Sequence, residues 1–341
     1  MNSHWNQHRN HPVSRRELLR LSSAGFGGLA LAGLLGAEAR NEARGAGKAV
    51  PAKAPGPLAL KAPHFTPRAK RVIFLFMHGG PSQVDTFDYK PLLQRDHGKP
   101  LPFKRPKVVS SETFNLLKSP WEFQQYGESG AWVSELFPLL AQRVDDICFI
   151  KSMHGSNSRH GGALLELHTG SDTFVRPSMG SWITYGLGSE NQNMPGFITI
   201  SPTQSHGGAN NYNSAFLPAA YAGTAIGSVG IPAKDARIPF IANAETPRDI
   251  QRMELDYVQE MNREHLKLSG PDQALEGRIE SFELAFRMQT EAPELQDLSK
   301  ESAATQKLYG LDDPMTEDFG RQCLMARRFS EGGVRFVQVS H

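Results

Sequence analysis

Short, uninterrupted apolar runs, each closed by a turn, constrain the fold of this chain more than any other feature. They lie at 71–77, 147–153, 196–200 and 334–340. Runs of this length, rich in β-branched and aromatic residues, are typical of strands buried on both faces. Segments with helical character lie between them, at 134–143, 246–265, 272–290 and 317–330. This alternation predicts an α/β fold with a doubly wound, mostly parallel sheet and helices on both faces.

Three of the four runs are followed directly by a histidine, namely His78, His154 and His341. Ligands of open α/β sheets bind outside the carboxyl ends of the strands, so these three side chains are expected to converge on one crevice. Imidazole is the commonest metal ligand and also transfers protons near neutral pH. Each histidine taken singly is better explained as a strand cap that hydrogen-bonds a loop carbonyl. The repetition favours a site.

The loop after the first run adds acidic side chains to this edge. It extends from Gly79 to Asp88, and its glycines allow the backbone to approach a ligand closely. Asp85 and Asp88 can bind a hard or borderline metal through oxygen. Both are also ordinary turn residues, and that alternative stays open.

The loop after the second run leads into a helix predicted at 163–168. A strand-to-helix turn presents free backbone N–H groups and the positive end of the helix dipole, which suits a phosphate or sulfate ester. Ser158, or else Ser156, is a candidate nucleophile, Arg159 a candidate oxyanion clamp, and His160 a candidate ligand or acid/base. The alternative is a Gly/Ser connector with a helix cap.

The N-terminus has the pattern of an export signal. Ser14–Arg20 contains an arginine pair at 15–16, an uncharged run follows at 21–37, and a small-x-small cleavage pattern ends at Ala39. The core resembles a twin-arginine signal of bacterial export. The glycine-rich run falls short of the roughly 20 strongly apolar residues of a stable membrane span, so none is expected after cleavage.

Residues 40–70 are rich in Ala, Pro, Gly and Lys and predict a flexible tether, with the folded domain over 71–341. The formal charge of +2 resides in the leader, whose four arginines outnumber its two glutamates. The remaining chain is formally neutral, which gives no case for a nucleic-acid partner. The two cysteines, Cys148 and Cys323, are too few for a disulfide framework and are predicted to be small core residues.

The motifs resemble those of a known family. Residues 72–88 (VIFLFMHGGPSQVDTFD), then 152–155, 176–183 and 333–339, are similar to the bacterial exported family called domain of unknown function 1501. That family is placed in the alkaline phosphatase and sulfatase superfamily. The resemblance implies an alkaline phosphatase-like fold and a site for metal-assisted hydrolysis of phosphate or sulfate esters, with a divalent ion such as Zn, Ca or Mg.

The resemblance also implies roles for residues of this chain. Asp85 takes the position of the acidic metal ligand, with His78 nearer the strand end. Together with His154 and His341, which the strand-end pattern supplies, they form the expected metal set. Ser158-Arg159 and the following 163–170 are similar to the sulfatase nucleophile pattern, although the Cys/Ser-x-Pro-Ser-Arg string is absent. Members of the family continue beyond the position of His341 with Asp-x-His and Gly-Arg-Asp-His segments, so the chain is expected to be a C-terminally truncated form that is inactive alone.

The resulting hypothesis is an exported, periplasmic or extracellular, metal-dependent sulfatase- or phosphatase-like hydrolase. Its expected partners are a small-molecule or polysaccharide ester and the twin-arginine export machinery. The alternative is a non-catalytic exported binding or envelope protein that keeps the hydrolase fold.

Overall fold

The computed structural model of the chain describes residues 56–104, 115–243, 245–270 and 272–341. The predicted leader at 1–39 and the first part of the predicted tether lie outside these ranges. The strands are β1 (Val72–Phe76), β2 (Phe123–Tyr126), β3 (Ala131–Ser134), β4 (Phe197–Ile200), β5 (Thr224–Ile226) and β6 (Phe336–Ser340). The α-helices are α1 (Gln83–Thr86), α2 (Pro91–Arg95), α3 (Pro138–Ala141), α4 (His160–Thr169), α5 (Met179–Leu187), α6 (Arg248–Ser269), α7 (Gln273–Gln296), α8 (Ala303–Leu308) and α9 (Glu317–Glu331).

Four strands form one parallel sheet in the order β1-β6-β4-β5. The last strand of the chain is therefore inserted between the first and the fourth, with Val72 opposite Phe336 in the β1–β6 register. β2 and β3 form a separate antiparallel ribbon. The predicted mixed α/β fold with a mostly parallel sheet is confirmed.

One face of the sheet is apolar. Its side chains on β4 and β6 are fully buried in one cluster with side chains of α9: Ile198, Ile200, Val337, Val339, Leu324 and Phe329. Burial of each such side chain contributes about 1.5–3 kcal/mol to folding. This cluster is the centre of the hydrophobic core.

The opposite face becomes polar toward the carboxyl edge. On β4 and β6 it begins with Phe197 and Phe336, whose ring centroids lie 5.2 Å apart edge to face. Buried Thr199 and Gln338 follow, and then buried Ser340. A parallel sheet covered on both faces is normally apolar throughout. The change from aromatic to hydroxyl and amide side chains therefore indicates that a functional site lies at the carboxyl edge.

Helices pack on both faces. On the polar face α5 approaches β4 closely at Gly180, where a Cβ atom would lie only 2.6 Å from the Phe197 ring. The predicted helices at 246–265, 272–290 and 317–330 correspond to α6, α7 and α9. α9 has Glu317 and Asp318 in its first turn and Arg328 in its last, as the helix dipole favours. Among the described residues, no helix is both long and apolar enough to cross a bilayer.

The strand predicted at 147–153 is wrong. A 3₁₀ helix at Val144–Asp146 precedes a segment without regular secondary structure. Phe149 packs against Phe87, whose ring also packs against Phe137, in a small cluster beside β3. Ile150 and Met153 of the same segment are exposed. Cys148, predicted to be a core residue of that strand, is exposed.

Two further expectations differ from the structure. The apolar run at 71–77 predicts a strand buried on both faces, but β1 is an edge strand with Ile73 40% and Leu75 51% exposed. The helix predicted at 134–143 is reduced to α3, because Pro138 disfavours helical backbone at the residue before it. Ser134 instead ends β3.

The folded part also includes residues predicted to belong to the tether. Leu58 is buried in the main core cluster, and the carbonyl oxygen of Pro57 accepts a 2.9 Å hydrogen bond from the Tyr221 hydroxyl. The Lys61 ammonium donates to the Tyr185 carbonyl at 2.7 Å. Packing of one leucine and two polar contacts thus attach this segment to the domain.

Candidate functional site

The backbone ladder between β1 and β6 continues to the two histidines that follow these strands. The His78 N–H donates to the His341 carbonyl at 2.6 Å, and the His341 N–H donates to the Phe76 carbonyl at 3.0 Å. His78 and His341 therefore lie side by side in the backbone at the carboxyl edge, as expected for neighbouring parallel strands. Their side chains separate, because the His341 ring packs against Phe319 of α9 with centroids 4.6 Å apart.

His78 meets a different histidine, His206, in the loop that follows β4. The Nε2 atom of His78 lies 3.2 Å from Nδ1 of His206, and the Ser205 hydroxyl lies 3.4 Å from the same Nδ1. His160, the first residue of α4, contributes a third ring 5.4 Å from that of His206. The structure thus brings together His78, His160 and His206 at the carboxyl edge.

His206 is a member of the cluster that the sequence pattern does not identify. It lies six residues beyond β4, whereas the sequence prediction considers only histidines placed directly after an apolar run or at the start of the helix that follows one. A signal is present nevertheless, since His206 is followed by Gly207-Gly208, in a loop that begins with Ser201-Pro202 after β4. A histidine anywhere in the loop after a buried strand is therefore a candidate member of a site at the carboxyl edge of the sheet.

The loop after β4 holds strained backbone. Ser201 and His206 have φ of 50° and 51°, and Gly207 and Gly208 have φ of 101° and 52°. Left-handed backbone costs a non-glycine residue about 1–2 kcal/mol, and such conformations concentrate at functional sites. The Ser201 side chain is 3% exposed, and its hydroxyl has no hydrogen-bond partner among the described residues.

The other predicted metal ligands lie apart from this cluster. Asp85 lies in α1 and accepts a 2.7 Å hydrogen bond from the Ser82 hydroxyl. His154 is exposed, and no hydrogen bond or ring contact of the described residues joins it to the three clustered histidines. In the described ranges, no three His, Cys, Asp or Glu side chains are grouped so as to hold a metal ion.

The loop before α4 is held by carboxylates. The Ser156 N–H and hydroxyl each donate to the Glu166 carboxylate at 2.9 Å, and the Asn157 amide donates to Asp172 at 3.0 Å. Gly162 makes room for this loop, because a Cβ there would lie 2.3 Å from the Asn157 amide nitrogen. Ser158 and Arg159 remain exposed, next to the N-terminal turn of α4.

A buried histidine couples α4 to the sheet. The Nδ1 atom of His168 lies 2.8 Å from the Leu164 carbonyl, which only accepts, so Nδ1 carries the proton. Nε2 is then the acceptor for the Gln338 amide at 3.2 Å. Burial lowers the pKa of His168, because the charged imidazolium would lose its hydration. The ring also packs edge to face on Phe76 at 4.7 Å.

The fold and site together define an α/β protein with a parallel sheet and a histidine cluster at its carboxyl edge. The model of the family described as "Protein of unknown function (DUF1501)" matches residues 69–341, and the chain belongs to that family. The comparison with curated proteins and the comparison with solved structures gave no match.

Proposed function

We propose that the protein is an exported sulfatase- or phosphatase-like ester hydrolase of alkaline phosphatase-like fold, with its site around His78, His160 and His206. The observation that carries the proposal is the 3.2 Å approach of His78 Nε2 to His206 Nδ1 at the carboxyl edge of a parallel sheet. Ester hydrolysis needs one group that takes a proton and one that gives a proton. A pair of imidazoles in contact supplies both.

The substrate class follows from the neighbouring helix end. The first turn of α4 presents N–H groups and the positive end of the dipole, and exposed Arg159 precedes it. This environment favours a small-molecule or polysaccharide ester that carries sulfate or phosphate. In the proposed reaction the Ser158 hydroxyl attacks sulfur or phosphorus and a histidine takes its proton. The ester oxygen leaves as an alcohol after receiving a proton, and water then releases sulfate or phosphate from Ser158.

The family resemblance implies a divalent ion such as zinc, calcium or magnesium. Two nitrogen ligands of a tetrahedral zinc ion, each at about 2.0–2.1 Å, lie about 3.3 Å apart. The 3.2 Å between His78 and His206 is close to that separation. Catalytic zinc sites use three protein ligands, however, and among the described residues no three His, Cys, Asp or Glu side chains are grouped so as to hold a metal ion. The set is incomplete, so the proposed steps use side chains alone.

Export is supported by the leader. The arginine pair at 15–16 and the uncharged run at 21–37 suit the twin-arginine machinery, which delivers proteins to the periplasm or the extracellular space. Sulfate and phosphate esters of polysaccharides are accessible to an enzyme in those locations.

Hydrolysis of aryl sulfates and aryl phosphates by the purified chain tests the proposal. The family resemblance leads to the expectation of an inactive chain, whereas the proposed site predicts turnover by the wild type and a loss of about 100-fold or more in His206→Ala, because the imidazole pair is broken. His265→Ala is the matched control, since His265 is an exposed histidine of α6. Turnover that is unchanged in His206→Ala would overturn the assignment of the site.

A second candidate function is a non-catalytic exported binding or envelope protein. It is favoured by the Ser158 hydroxyl, which is exposed and makes no hydrogen bond to a base among the described residues. This candidate predicts that calorimetry detects binding of the aryl esters while no alcohol is released.

A further inference from the structure

An exposed group of aromatic side chains on α5 and the loop after β4 is the starting observation. Trp182, Tyr185 and Phe216 are 45%, 37% and 70% exposed. The centroid of the Trp182 ring lies 5.8 Å from that of Phe216 and 6.0 Å from that of Tyr185. Single exposed apolar side chains are ordinary, but a contiguous group marks a binding surface. We call these three residues the aromatic platform.

The rings of the aromatic platform are held in place by their neighbours. Trp182 and Tyr185 lie one turn apart on α5, and Tyr185 packs edge to face on the buried ring of Tyr221 at 5.2 Å. Aromatic side chains have only two rotatable χ angles, so little conformational entropy remains to be lost on binding. A ligand that contacts these rings therefore gains contact area at a low cost in ordering.

Lys61 adds a positive charge beside the rings. Its ammonium donates to the Tyr185 carbonyl oxygen at 2.7 Å and lies 4.7 Å from the centroid of the Tyr185 ring. A cation over the face of an aromatic ring is attracted by the negative charge of that face. These contacts hold Lys61, an exposed residue, at the border of the aromatic platform, where it favours an anionic ligand.

The chemistry of a charged sugar fits this combination. The face of an aromatic ring carries partial negative charge. The C–H groups on the flat face of a sugar ring carry partial positive charge, so this face stacks on aromatic rings while the hydroxyls around its edge stay hydrated. A sulfate or phosphate substituent supplies the negative charge that complements Lys61.

A single-stranded nucleic acid is the competing ligand, because its bases also stack on aromatic rings. It carries a phosphate at every nucleotide, however, and it is bound by a groove of cations that follows the strand. The ring contacts of the described residues place Lys61 at the aromatic platform, and beyond the predicted leader the chain is formally neutral. The charge of this surface therefore favours a saccharide with acidic substituents.

One loop connects the aromatic platform to the histidine cluster. The loop after β4 contains His206, and Phe216 follows ten residues later. Between them the Asn213 carbonyl oxygen accepts hydrogen bonds from the Ser178 N–H at 3.0 Å and from the Ser181 hydroxyl at 3.1 Å. These bonds attach the loop to the start of α5. The same loop therefore contributes residues to both surfaces.

We propose that the aromatic platform and Lys61 bind the sugar chain of a sulfated or phosphorylated polysaccharide. Sugar rings stack on Trp182 and Phe216, and an acidic substituent lies beside Lys61. This binding is independent of catalysis. Delivery of an ester of the bound chain to the histidine cluster rests on the proposed function, which it deepens by selecting a polysaccharide over a small-molecule ester.

Binding of sulfated polymers by the purified chain tests the proposal. The probes are dextran sulfate and chondroitin sulfate, with unmodified dextran for comparison, and calorimetry measures the affinities. We expect the wild type to bind a sulfated probe more tightly than dextran. Trp182→Ala should weaken this binding by about tenfold or more, whereas Trp182→Phe, which keeps a ring, should retain most of the affinity.

The matched control is Trp121→Ala, because Trp121 is 40% exposed and lies outside the aromatic platform. It should bind the sulfated probes as the wild type does. Lys61→Met should weaken binding of the sulfated probes and leave that of dextran unchanged. Absence of sulfated-polymer binding in the wild type, or an equal loss in Trp121→Ala and Trp182→Ala, would overturn the proposal.

Oligothymidylate distinguishes the competing ligand. Tighter binding of oligothymidylate than of the sulfated probes, with the same dependence on Trp182, would assign the aromatic platform to single-stranded nucleic acid and overturn the proposal.

Kinetics separate this proposal from the proposed hydrolysis. With delivery of the ester, Trp182→Ala raises KM for dextran sulfate and leaves both kcat and the turnover of aryl sulfates unchanged. Trp182-dependent binding by a chain that releases no sulfate would support the aromatic platform and contradict the hydrolase. Turnover of aryl sulfates without binding of the sulfated polymers would contradict the aromatic platform alone.

Discussion

β1 and β6 are neighbours in one sheet with similar apolar sequences, and they occupy opposite environments. The register places Leu75 of β1 beside Val339 of β6, yet Leu75 is 51% exposed and Val339 is fully buried. In the described part of the chain β6 has a strand on each side and α9 on its apolar face, whereas β1 has a strand on one side only. The difference shows that an apolar run specifies a strand but does not specify whether that strand lies at the centre or at the edge.

The largest predicted effect comes from a charge placed at each of these two paired positions. Val339→Lys buries an unpaired ammonium among the side chains of the main cluster and should cost about 3–5 kcal/mol of unfolding free energy. Leu75→Lys should cost about 1 kcal/mol or less, because the ammonium reaches solvent. Urea denaturation of both variants measures the difference. Equal costs at the two positions would mean that another element covers the face of β1.

An intermediate effect is predicted for His168, which contacts both strands through Phe76 and Gln338. Its folded-state pKa is lowered by burial, so the unfolded chain binds the proton more readily as the pH falls below the ordinary histidine value of about 6.5. Stability should therefore be complete above that pH and fall below it, by at most about 1.4 kcal/mol per pH unit from this group.

His168→Gln should reduce this acid-side slope, and the pH dependence of the unfolding free energy measures it. The exposed His265 supplies the control substitution His265→Gln. The same slope in wild type and His168→Gln would show that the buried imidazole does not contribute to the pH dependence of the unfolding free energy.

The smallest predicted effect concerns the end of the central strand β4. Ser201→Gly should stabilise the chain by about 1 kcal/mol, because glycine adopts positive φ without strain and the buried, unpartnered hydroxyl is removed. Ser228→Gly is the contrast, since Ser228 is a buried serine without positive φ and should lose stability. Thermal denaturation compares them. Destabilisation by Ser201→Gly would mean that its hydroxyl makes a contact important for folding.

The central part of the fold is predictable from sequence, because there the hydrophobic period and the length of each segment indicate the same type of secondary structure. The runs at 196–200 and 334–340 correspond to β4 and β6, and the periodic stretches correspond to α6, α7 and α9. The run at 147–153 has the same local character and still forms no strand. Strand pairing depends on a partner edge far away in the sequence, and local pattern carries no information about it.

The candidate site is predictable only in part. His78 and His160 are identified from their positions next to an apolar run and a helix start. His206 is not identified by the pattern, because it lies within the loop after β4 and not directly after the strand. Its position at the sheet edge depends on the left-handed backbone at 206–208, which residue spacing does not indicate. The positions of the Asp85, His154 and His341 side chains likewise depend on tertiary contacts, such as the one between His341 and Phe319.

His160 and His168 lie eight residues apart on the same helix, α4, so about 12 Å of helix separates them along the axis. One end of this helix is bound to β6 by a hydrogen bond inside the core, and the other end carries a ring at the surface cluster. The length of the helix therefore sets how far His160 extends toward His206. Repacking around Gln338 is therefore expected to shift the His160 ring, although the two sites lie more than two helical turns apart.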